Sequence, residues 1–299
     1  MPLSVVINTK NSASTLGLTL KSIKNLADEI VIVDMMSTDN TKELAEAHTD
    51  KVFSHPDVGY VEPARNYAIQ KASHDWILIV DADEEVPPAL QEMITHITSG
   101  NAEADCYYLP RKNMIFNKWI AHTGWWPDYV LRLFKKGYVN WDNEIHSIPI
   151  TKGVVVELPA QEELALIHHN YQNVSQYLAR LNRYTTIQAA EAKEEPVFKR
   201  SLFATWSNQF LARFFAQEGH KDGQHGLALA LLQAFYEVAV ELKIWENDNF
   251  NQNSTSSTQA IRDLRQFQRD VNYWIADYQI HRTSGLNNLW WRLRRKFKI

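Results

Sequence analysis

Apolar runs of strand length alternate with amphipathic segments through the first hundred residues. Residues 3–7, 29–34 and 76–80 form almost unbroken apolar runs, a pattern typical of strands that are buried on both faces of a parallel sheet. Residues 51–54 predict a weaker strand of the same kind. Between these runs, apolar side chains recur at helical spacing, as in residues 16–26. The alternation of strand and helix predicts a parallel sheet covered by helices.

The pattern changes after residue 100. Long polar and aromatic loops, rather than helices, separate the next predicted strands, which are residues 106–110, 129–134, 154–158 and 165–168. From residue 174 the apolar positions return to helical spacing. We therefore predict two parts, a sheet-containing domain over residues 1–170 and a helical region over residues 171–299.

Composition narrows the class of protein. The chain has 299 residues and a formal net charge of -4, which argues against nucleic acid as a partner. Cys106 is the only cysteine, so neither an internal disulfide nor a cysteine zinc cluster can form. We find no signal-peptide pattern, and the longest apolar stretch, residues 227–240, is interrupted by Gln233 and Glu237. We expect a cytoplasmic protein without a membrane span.

Four acidic residues follow the apolar run at residues 76–80. Asp81 and Asp83 are two positions apart, and Glu84 and Glu85 come directly after them. The carboxyl end of a strand is where open α/β sheets bind ligands. Carboxylates this close repel one another unless a cation or a basic ligand shares the site, and hard divalent ions prefer oxygen ligands. The stretch therefore predicts a metal-bridged diphosphate site, although acidic residues also favour the first turn of a helix.

Several short motifs occur in an order that is typical of one enzyme family. They are Thr9 and Asn11 after the first strand, IVD with STDNT at residues 32–34 and 37–41, PARN at residues 63–66, and IVDAD at residues 79–83. With these motifs the chain resembles the nucleotide-sugar-binding half of family 2 glycosyltransferases of the GT-A fold. WPD at residues 126–128 and LRLF at residues 131–134 resemble the bacterial branch that extends lipopolysaccharide cores.

The resemblance implies an α/β fold, namely a GT-A, Rossmann-like, mostly parallel sheet with helices on both faces, followed by a helical C-terminal region. It implies an inverting transferase that depends on Mn²⁺ or Mg²⁺. Such an enzyme moves a sugar from a nucleoside-diphosphate sugar, above all a UDP-sugar, to a hydroxyl of a glycan or lipid-linked acceptor. The expected setting is the synthesis of lipopolysaccharide or another cell-surface polysaccharide.

The resemblance also implies roles for residues at the donor site. Asp34 would accept hydrogen bonds from the base or ribose of the nucleotide, and Thr9 and Asn11 would line the same pocket. Arg65 would meet the diphosphate, for which a guanidinium is well shaped. Asp81 would contact the ribose or reach the metal ion through water.

Asp83 would bind the divalent ion directly. His146 lies at the position where related enzymes have a histidine that binds the metal. His168 and His169 are alternative candidates for that role. A lone histidine is more often structural than a ligand, and the three histidines stay open as alternatives.

Asp128 is the candidate base for the acceptor hydroxyl, because in the family a carboxylate precedes a strand that contains an arginine. Glu144 is the second candidate. Two positions depart from the family pattern. Ser147 stands where relatives often carry glutamate, and Met35 and Met36 replace small residues after the second strand.

Two other functions are compatible with the same residues. A sugar nucleotidyltransferase would use a similar sheet, although such enzymes usually have a glycine-rich first loop and residues 8–14 contain no glycine. A non-catalytic nucleotide- or glycan-binding scaffold of the same fold is the other alternative, and the departure at Ser147 is compatible with it.

Residues 289–299 (LWWRLRRKFKI) interleave aromatic rings with arginine and lysine. This composition suits the headgroup region of an anionic membrane, where each basic residue contributes about 1 kcal/mol. The alternative is a terminal helix whose tryptophans pack on the domain and whose charges are solvated. The membrane interpretation predicts a peripheral protein on the inner face of the cell membrane.

Overall fold

The structure is a computed structural model that describes residues 1–58, 61–142, 149–192, 201–251 and 257–299. The chain forms two compact units. The first unit comprises residues 1–119 and 126–170, and the second comprises residues 120–125 and 171–299.

Parallel strands and connecting helices build the first part of the first unit. The strands are β1 (Leu3–Thr9), β2 (Glu29–Asp34), β3 (Val52–Ser54) and β4 (Trp76–Ile79). The helices are α1 (Leu16–Ile23), α2 (Thr41–Glu46), α3 (Glu62–Lys71) and α4 (Pro88–His96). The four strands lie parallel in the order β3-β2-β1-β4, which confirms the parallel sheet predicted from the apolar runs.

Antiparallel strands extend this sheet. The further strands are β5 (Glu84–Glu85), β6 (Cys106–Ile115), β7 (Lys118–Trp119), β8 (Asp128–Lys135), β9 (Val139–Asn140), β10 (Ile150–Thr151), β11 (Val155–Glu157) and β12 (Leu166–Tyr171). β8 pairs antiparallel with both β4 and β6, and the order continues β4-β8-β6-β12-β5. Within the described residues, ten strands belong to this sheet, while β9 and β10 pair separately. The predicted GT-A-like α/β class is confirmed, with an antiparallel side added to the parallel one.

Helices cover both faces of the parallel side of the sheet. On one face, Leu20 of α1 and Leu90 of α4 belong to the same buried cluster as Val5. On the other face, Ala68 of α3 belongs to the cluster that contains Val6. Val5 and Val6 are neighbours in β1 and point to opposite faces, because side chains alternate along a strand. This is why the strand sequences are apolar at nearly every position rather than at every second one.

The second unit is helical in its described part. Its helices are α5 (Val174–Glu191), α6 (Leu202–Leu211), α7 (Gln224–Asn247), α8 (Ser257–Ile280) and α9 (Gly285–Phe297). In the ranges that the structure describes, no helix combines the length and the apolar character needed to cross a bilayer.

A tight turn separates α6 from α7. Gly219–Asp222 forms a single 3₁₀ turn, and α7 follows directly. A Cβ atom on Gly226 would lie 1.8 Å from the carbonyl oxygen of Gly219. Only glycine therefore allows α7 to begin this close to the turn.

Candidate active site

The parallel strands bring polar residues together at one edge of the sheet. Thr9 at the end of β1 lies opposite Asp34 at the end of β2, and Asn8 precedes Thr9. All three side chains are buried. Among the described residues, the Asn8 amide atoms, Thr9 Oγ1 and Asp34 Oδ1 have no hydrogen-bond partner. An unpaired buried polar atom costs about 1–3 kcal/mol. Thr9 Oγ1 and Asp34 Oδ1, which side-chain alternation places on one face of the sheet, are therefore suited to a polar ligand at the strand ends, whereas Asn8 lies on the other face.

Asn11 fastens two loops beside these strand ends. The side-chain Oδ1 of Asn11 accepts a hydrogen bond from the backbone N–H of Thr38 at 2.8 Å. The backbone N–H of Asn11 donates to Ser37 Oγ at 2.9 Å. The N–H of Ser37 in turn donates to Asp34 Oδ2 at 3.2 Å. The structure thus places Asn11 at the wall of the site, where its amide oxygen holds the loop that follows β2.

Asp81, two residues beyond the end of β4, is held by two arginines. Arg65 Nη2 donates to Asp81 Oδ1 at 3.1 Å, and Arg132 Nη2 donates to Asp81 Oδ2. Arg132 also donates to Glu84 Oε1 at 2.9 Å, and both of these side chains are buried. Burial opposes ionisation of Asp81, but the charges of Arg132 and Arg65 outweigh it and hold the pKa of Asp81 well below its usual range. Arginine therefore balances much of the negative charge that follows β4.

Arg111 extends this ion network to Asp128. The two residues are partners in the register of β6 and β8. Arg111 Nε donates to Asp128 Oδ2 at 3.0 Å, Nη2 lies 2.7 Å from the same oxygen, and Nη1 lies 3.6 Å from Glu84 Oε1. Asn113 Nδ2 also donates to Asp128 Oδ2, at 2.9 Å. Arg111 and Asn113 therefore both hold the carboxylate of Asp128 through Oδ2.

Asn113 connects Asp128 to His168 through its side-chain amide. Its Oδ1 lies 2.7 Å from His168 Nδ1, and both residues are buried. An ionised carboxylate can only accept hydrogen bonds, so Asp128 fixes the amide with Nδ2 toward itself and Oδ1 toward His168. His168 must then donate from Nδ1, which places the lone pair of its neutral ring on Nε2.

His168 Nε2 lies 3.7 Å from Asp83 Oδ1. The neighbouring His169 instead directs Nε2 to Glu85 Oε1, at 2.5 Å. Of the two histidines predicted to compete with His146, His168 is therefore the one whose ring lies beside the carboxylate of Asp83, whereas His169 contacts Asp83 through its backbone N–H. In the described ranges, no group of three or more histidine, cysteine or acidic side chains is arranged to hold a metal ion. Asp83 Oδ1 and His168 Nε2 therefore form a pair of one oxygen and one nitrogen donor, 3.7 Å apart.

The predicted site residues Glu144 and His146 lie outside the described residues, as does Ser147. The methionines after β2 differ from each other. Met35 is buried, whereas Met36 has a φ of 60° and a side chain that is 61% exposed.

Sequence reasoning missed Asn8, Arg111, Asn113 and Arg132. A signal existed for Arg132, because it is a charged residue at the centre of the apolar LRLF stretch of β8. Arg111 and Asn113 are two positions apart in β6 and so share one face of the strand. The sequence of β6 alone does not predict which residues they contact.

The family model described as "Glycosyl transferase family 2" matches residues 4–157. The chain belongs to glycosyltransferase family 2. The predicted family and the predicted class of enzyme are both confirmed.

Two curated relatives whose names describe glycosyltransferases match most of this chain. This glycosyltransferase is 30% identical over 246 residues to an uncharacterised glycosyltransferase of Rickettsia bellii, covering 78% of this chain and 82% of the relative. It is 26% identical over 261 residues to the lipopolysaccharide core biosynthesis glycosyltransferase LpsC of Rhizobium meliloti, covering 82% of this chain and 93% of LpsC. Among solved structures, S. aureus TarS 1-349 in complex with UDP-GlcNAc is similar at a TM-score of 0.44 and 15% identity, over 100% of this chain and 89% of that one.

Proposed function

We propose that this glycosyltransferase transfers a sugar, with inversion and with a divalent ion, from a UDP-sugar to a hydroxyl of a glycan or lipid-linked acceptor. The observation that carries the proposal is the group of unpaired buried polar atoms at the ends of β1 and β2. An arginine-bearing ion network at the end of the adjacent strand β4 suits a diphosphate. Similarity to LpsC over most of both chains supports an acceptor in the lipopolysaccharide core or another cell-surface polysaccharide.

At the donor site, Asp34 Oδ1 accepts a hydrogen bond from a ribose hydroxyl or a base N–H. Thr9 supplies a further polar contact to the nucleotide. Arg65 meets the diphosphate, and Asp81 orients its guanidinium through contacts of 3.1 and 3.3 Å. Because arginines occupy both oxygens of Asp81, this residue reaches a metal ion only through water.

Asp83 and His168 are the residues that would hold the divalent ion, and His146 stays a third candidate. The donor set fits such an ion in part, because an acidic oxygen and an imidazole nitrogen lie 3.7 Å apart with the lone pair of His168 on Nε2. When bound, the ion would supply Lewis-acid assistance by offsetting the charge that develops on the departing UDP.

Asn113 is a positioning residue in this proposal. It accepts a hydrogen bond from His168 Nδ1 and is itself oriented by Asp128, so one amide aligns the candidate metal ligand with the candidate base. Partners of this kind fix the tautomer and the ring orientation of a metal-binding histidine.

Asp128 Oδ1 removes the proton from the acceptor hydroxyl. The acceptor oxygen forms a bond to the anomeric carbon as the bond from that carbon to the diphosphate oxygen breaks, which inverts the configuration. The proton passes to Asp128, and UDP leaves with the electron pair of the broken bond. Contacts on Oδ2 from Arg111 and Asn113 hold the carboxylate in one orientation for this transfer. Glu144 stays the second candidate base.

Release of UDP from UDP-sugars in the presence of Mn²⁺ tests the proposal against a scaffold function. We expect slow release without acceptor, faster release with lipopolysaccharide-core acceptors, and no release after chelation by EDTA. A scaffold protein would release no UDP under any of these conditions.

Asp128→Asn separates the base from the donor site. General base catalysis contributes roughly 10²–10⁴-fold, so we expect transfer to fall by about 100-fold or more while the affinity for UDP is unchanged. Loss of UDP affinity without a change in turnover would remove Asp128 from the base role.

A further inference from the structure

Helix α9 presents an apolar stripe to solvent. Its residues recur at intervals of three and four positions and so lie along one side of the helix; they are Leu286, Leu289, Trp290, Leu293 and Phe297. Their exposed fractions run from 49% at Leu293 to 85% at Leu286. Surface helices of globular proteins normally turn such a stripe toward the core. In α9 the apolar side faces outward.

Polar contacts on the other side of α9 fix this orientation. Arg295 Nη1 donates to Asp277 Oδ1 of α8 at 2.6 Å, and Lys298, directly after α9, donates to Asp270 Oδ1 at 2.9 Å. Asn288 Nδ2 donates to two backbone carbonyl oxygens at and beyond the end of α8, at 2.7 and 3.0 Å. The side of α9 that contacts α8 is therefore held by ion pairs and hydrogen bonds, which leaves the stripe uncovered.

Cations border the stripe on both edges. By helical spacing, Arg294 lies along one edge, and Arg292 and Lys296 lie along the other. The guanidinium of Arg294 is 4.8 Å from the centre of the Trp290 ring. The sequence of α9 contains no aspartate or glutamate. An apolar stripe with a cationic border and tryptophan at its margin is typical of a helix that lies in the interface of an anionic bilayer.

We propose that α9 lies flat on an anionic lipid bilayer, with the stripe inserted among the acyl chains and Arg292, Arg294 and Lys296 at the lipid phosphates. A second copy of the chain would also cover the stripe, but it would bring two cationic borders together, and like charges across an interface oppose association. A lipid surface with negative headgroups covers the apolar side chains and balances the cations. This inference concerns where the enzyme works and does not depend on the proposed chemistry.

Binding of the full chain to lipid vesicles tests the inference, without donor, metal or acceptor. The probes are vesicles of phosphatidylcholine alone and vesicles with about one-third phosphatidylglycerol, compared by sedimentation. We expect binding to the anionic vesicles, at least tenfold weaker binding to the neutral ones, and weakening by salt, since salt screens the cations.

Two variants assign this binding to α9. Leu293→Asp places a charge in the stripe, and the triple change of Arg292, Arg294 and Lys296 to glutamine removes the border; each should weaken anionic binding at least tenfold. Leu18→Asp in α1 is the matched control, because Leu18 is 47% exposed and Leu293 is 49% exposed. The control should bind vesicles like the wild type, and thermal unfolding verifies that all variants fold.

Absence of vesicle binding by the wild type would overturn the inference, as would wild-type binding by Leu293→Asp. Sedimentation in solution gives a further test. If the wild type is a dimer, Leu293→Asp is a monomer and both bind vesicles equally, the stripe covers a second copy of the chain and the inference is overturned. UDP release is measured in parallel and should be the same in Leu293→Asp and wild type, so a failure of membrane binding is distinguishable from a failure of the proposed transfer.

Discussion

The network of Arg132, Asp81 and Glu84 in the first unit is largely buried and internally paired, whereas Arg292 and Lys296 of α9 are exposed beside apolar residues. Arg132 is 2% exposed and bridges Asp81 and the fully buried Glu84. On α9, by contrast, Trp290 is 51% exposed next to its cation. A buried ion network fixes the geometry of a site, and removing one member lowers the stability of the fold. Exposed charges instead determine which partners the surface attracts. The two regions should therefore respond differently to substitution.

Removal of the central cation of the network should have the largest effect. Arg132→Met leaves Asp81 and Glu84 without their shared partner, and breaking a buried ion pair in this way costs about 3–5 kcal/mol. Arg292→Met on α9 is the matched control and should stay within about 0.5 kcal/mol of the wild type. Urea unfolding measures both. Equal losses of stability in the two variants would remove the contrast between the two regions.

Acid should weaken the first unit through Glu29, which lies at the other end of β2 from Asp34. Burial of Glu29 opposes ionisation, but hydrogen bonds from Lys51, Ser4 and Ser73 outweigh it and lower its pKa from 4.5 to about 2. Because the folded-state pKa lies below the ordinary value, the stabilisation is complete above about pH 4.5 and is lost as the pH falls toward 2.

The contribution of Glu29 amounts to up to about 3 kcal/mol, from a shift of about 2.5 pH units. Glu29→Gln should be less stable than the wild type at pH 6 and lose less stability on acidification. Urea unfolding at pH 6, 4 and 3 measures the difference. A constant gap between the two proteins across this range would contradict the assigned pKa.

Asp83→Asn should separate activity from stability in the first unit. Asp83 has a side chain that is 23% exposed, and Arg132 pairs with Asp81 and Glu84, so these charges of the ion network are kept in this variant. We expect Mn²⁺-dependent UDP release to fall by about 100-fold or more, since the proposed ion loses its acidic ligand. The midpoint of urea unfolding should change little. Full activity of this variant would contradict the proposed role.

Asn113→Leu should lower activity less than Asp83→Asn does, and it should do so by weakening the affinity for the metal ion. Loss of the amide removes the acceptor for His168 Nδ1, and such partners of metal ligands typically affect metal affinity by 10–100-fold. Calorimetry with Mn²⁺ and UDP gives the affinity. A variant with lowered stability but wild-type affinity for Mn²⁺ would show that Asn113 is structural only.

The hydrophobic pattern of the sequence predicted the elements whose structure depends mainly on neighbouring residues. The apolar runs at β1, β2 and β4 predicted buried parallel strands, and the position of Asp34 at a strand end followed from the run before it. The partners of Asp81 could not be predicted in this way. Arg65 and Arg132 are 16 and 51 positions away along the chain, and only the pairing of β4 with β8 brings Arg132 to it.

The orientation of α9 was likewise beyond the sequence pattern. Residues 289–299 are compatible with a helix that packs its tryptophans inward or outward. Contacts from Arg295 and Lys298 to α8 decide between the two, and they depend on where Asp277 and Asp270 lie in a separate helix. A similar long-range contact, between Asn113 and His168, distinguishes His168 from His169.

The proposed function requires a nucleotide-sugar site at the ends of β1, β2 and β4. Calorimetric titration with UDP, with and without Mn²⁺, tests it directly in the wild type, Asp34→Asn and Asp83→Asn. We expect UDP to bind the wild type more tightly with Mn²⁺ than without it. Asp34→Asn should weaken this binding under both conditions, and Asp83→Asn should remove only the effect of Mn²⁺. Failure of the wild type to bind UDP under either condition, or binding unchanged by Asp34→Asn, would contradict the proposed function.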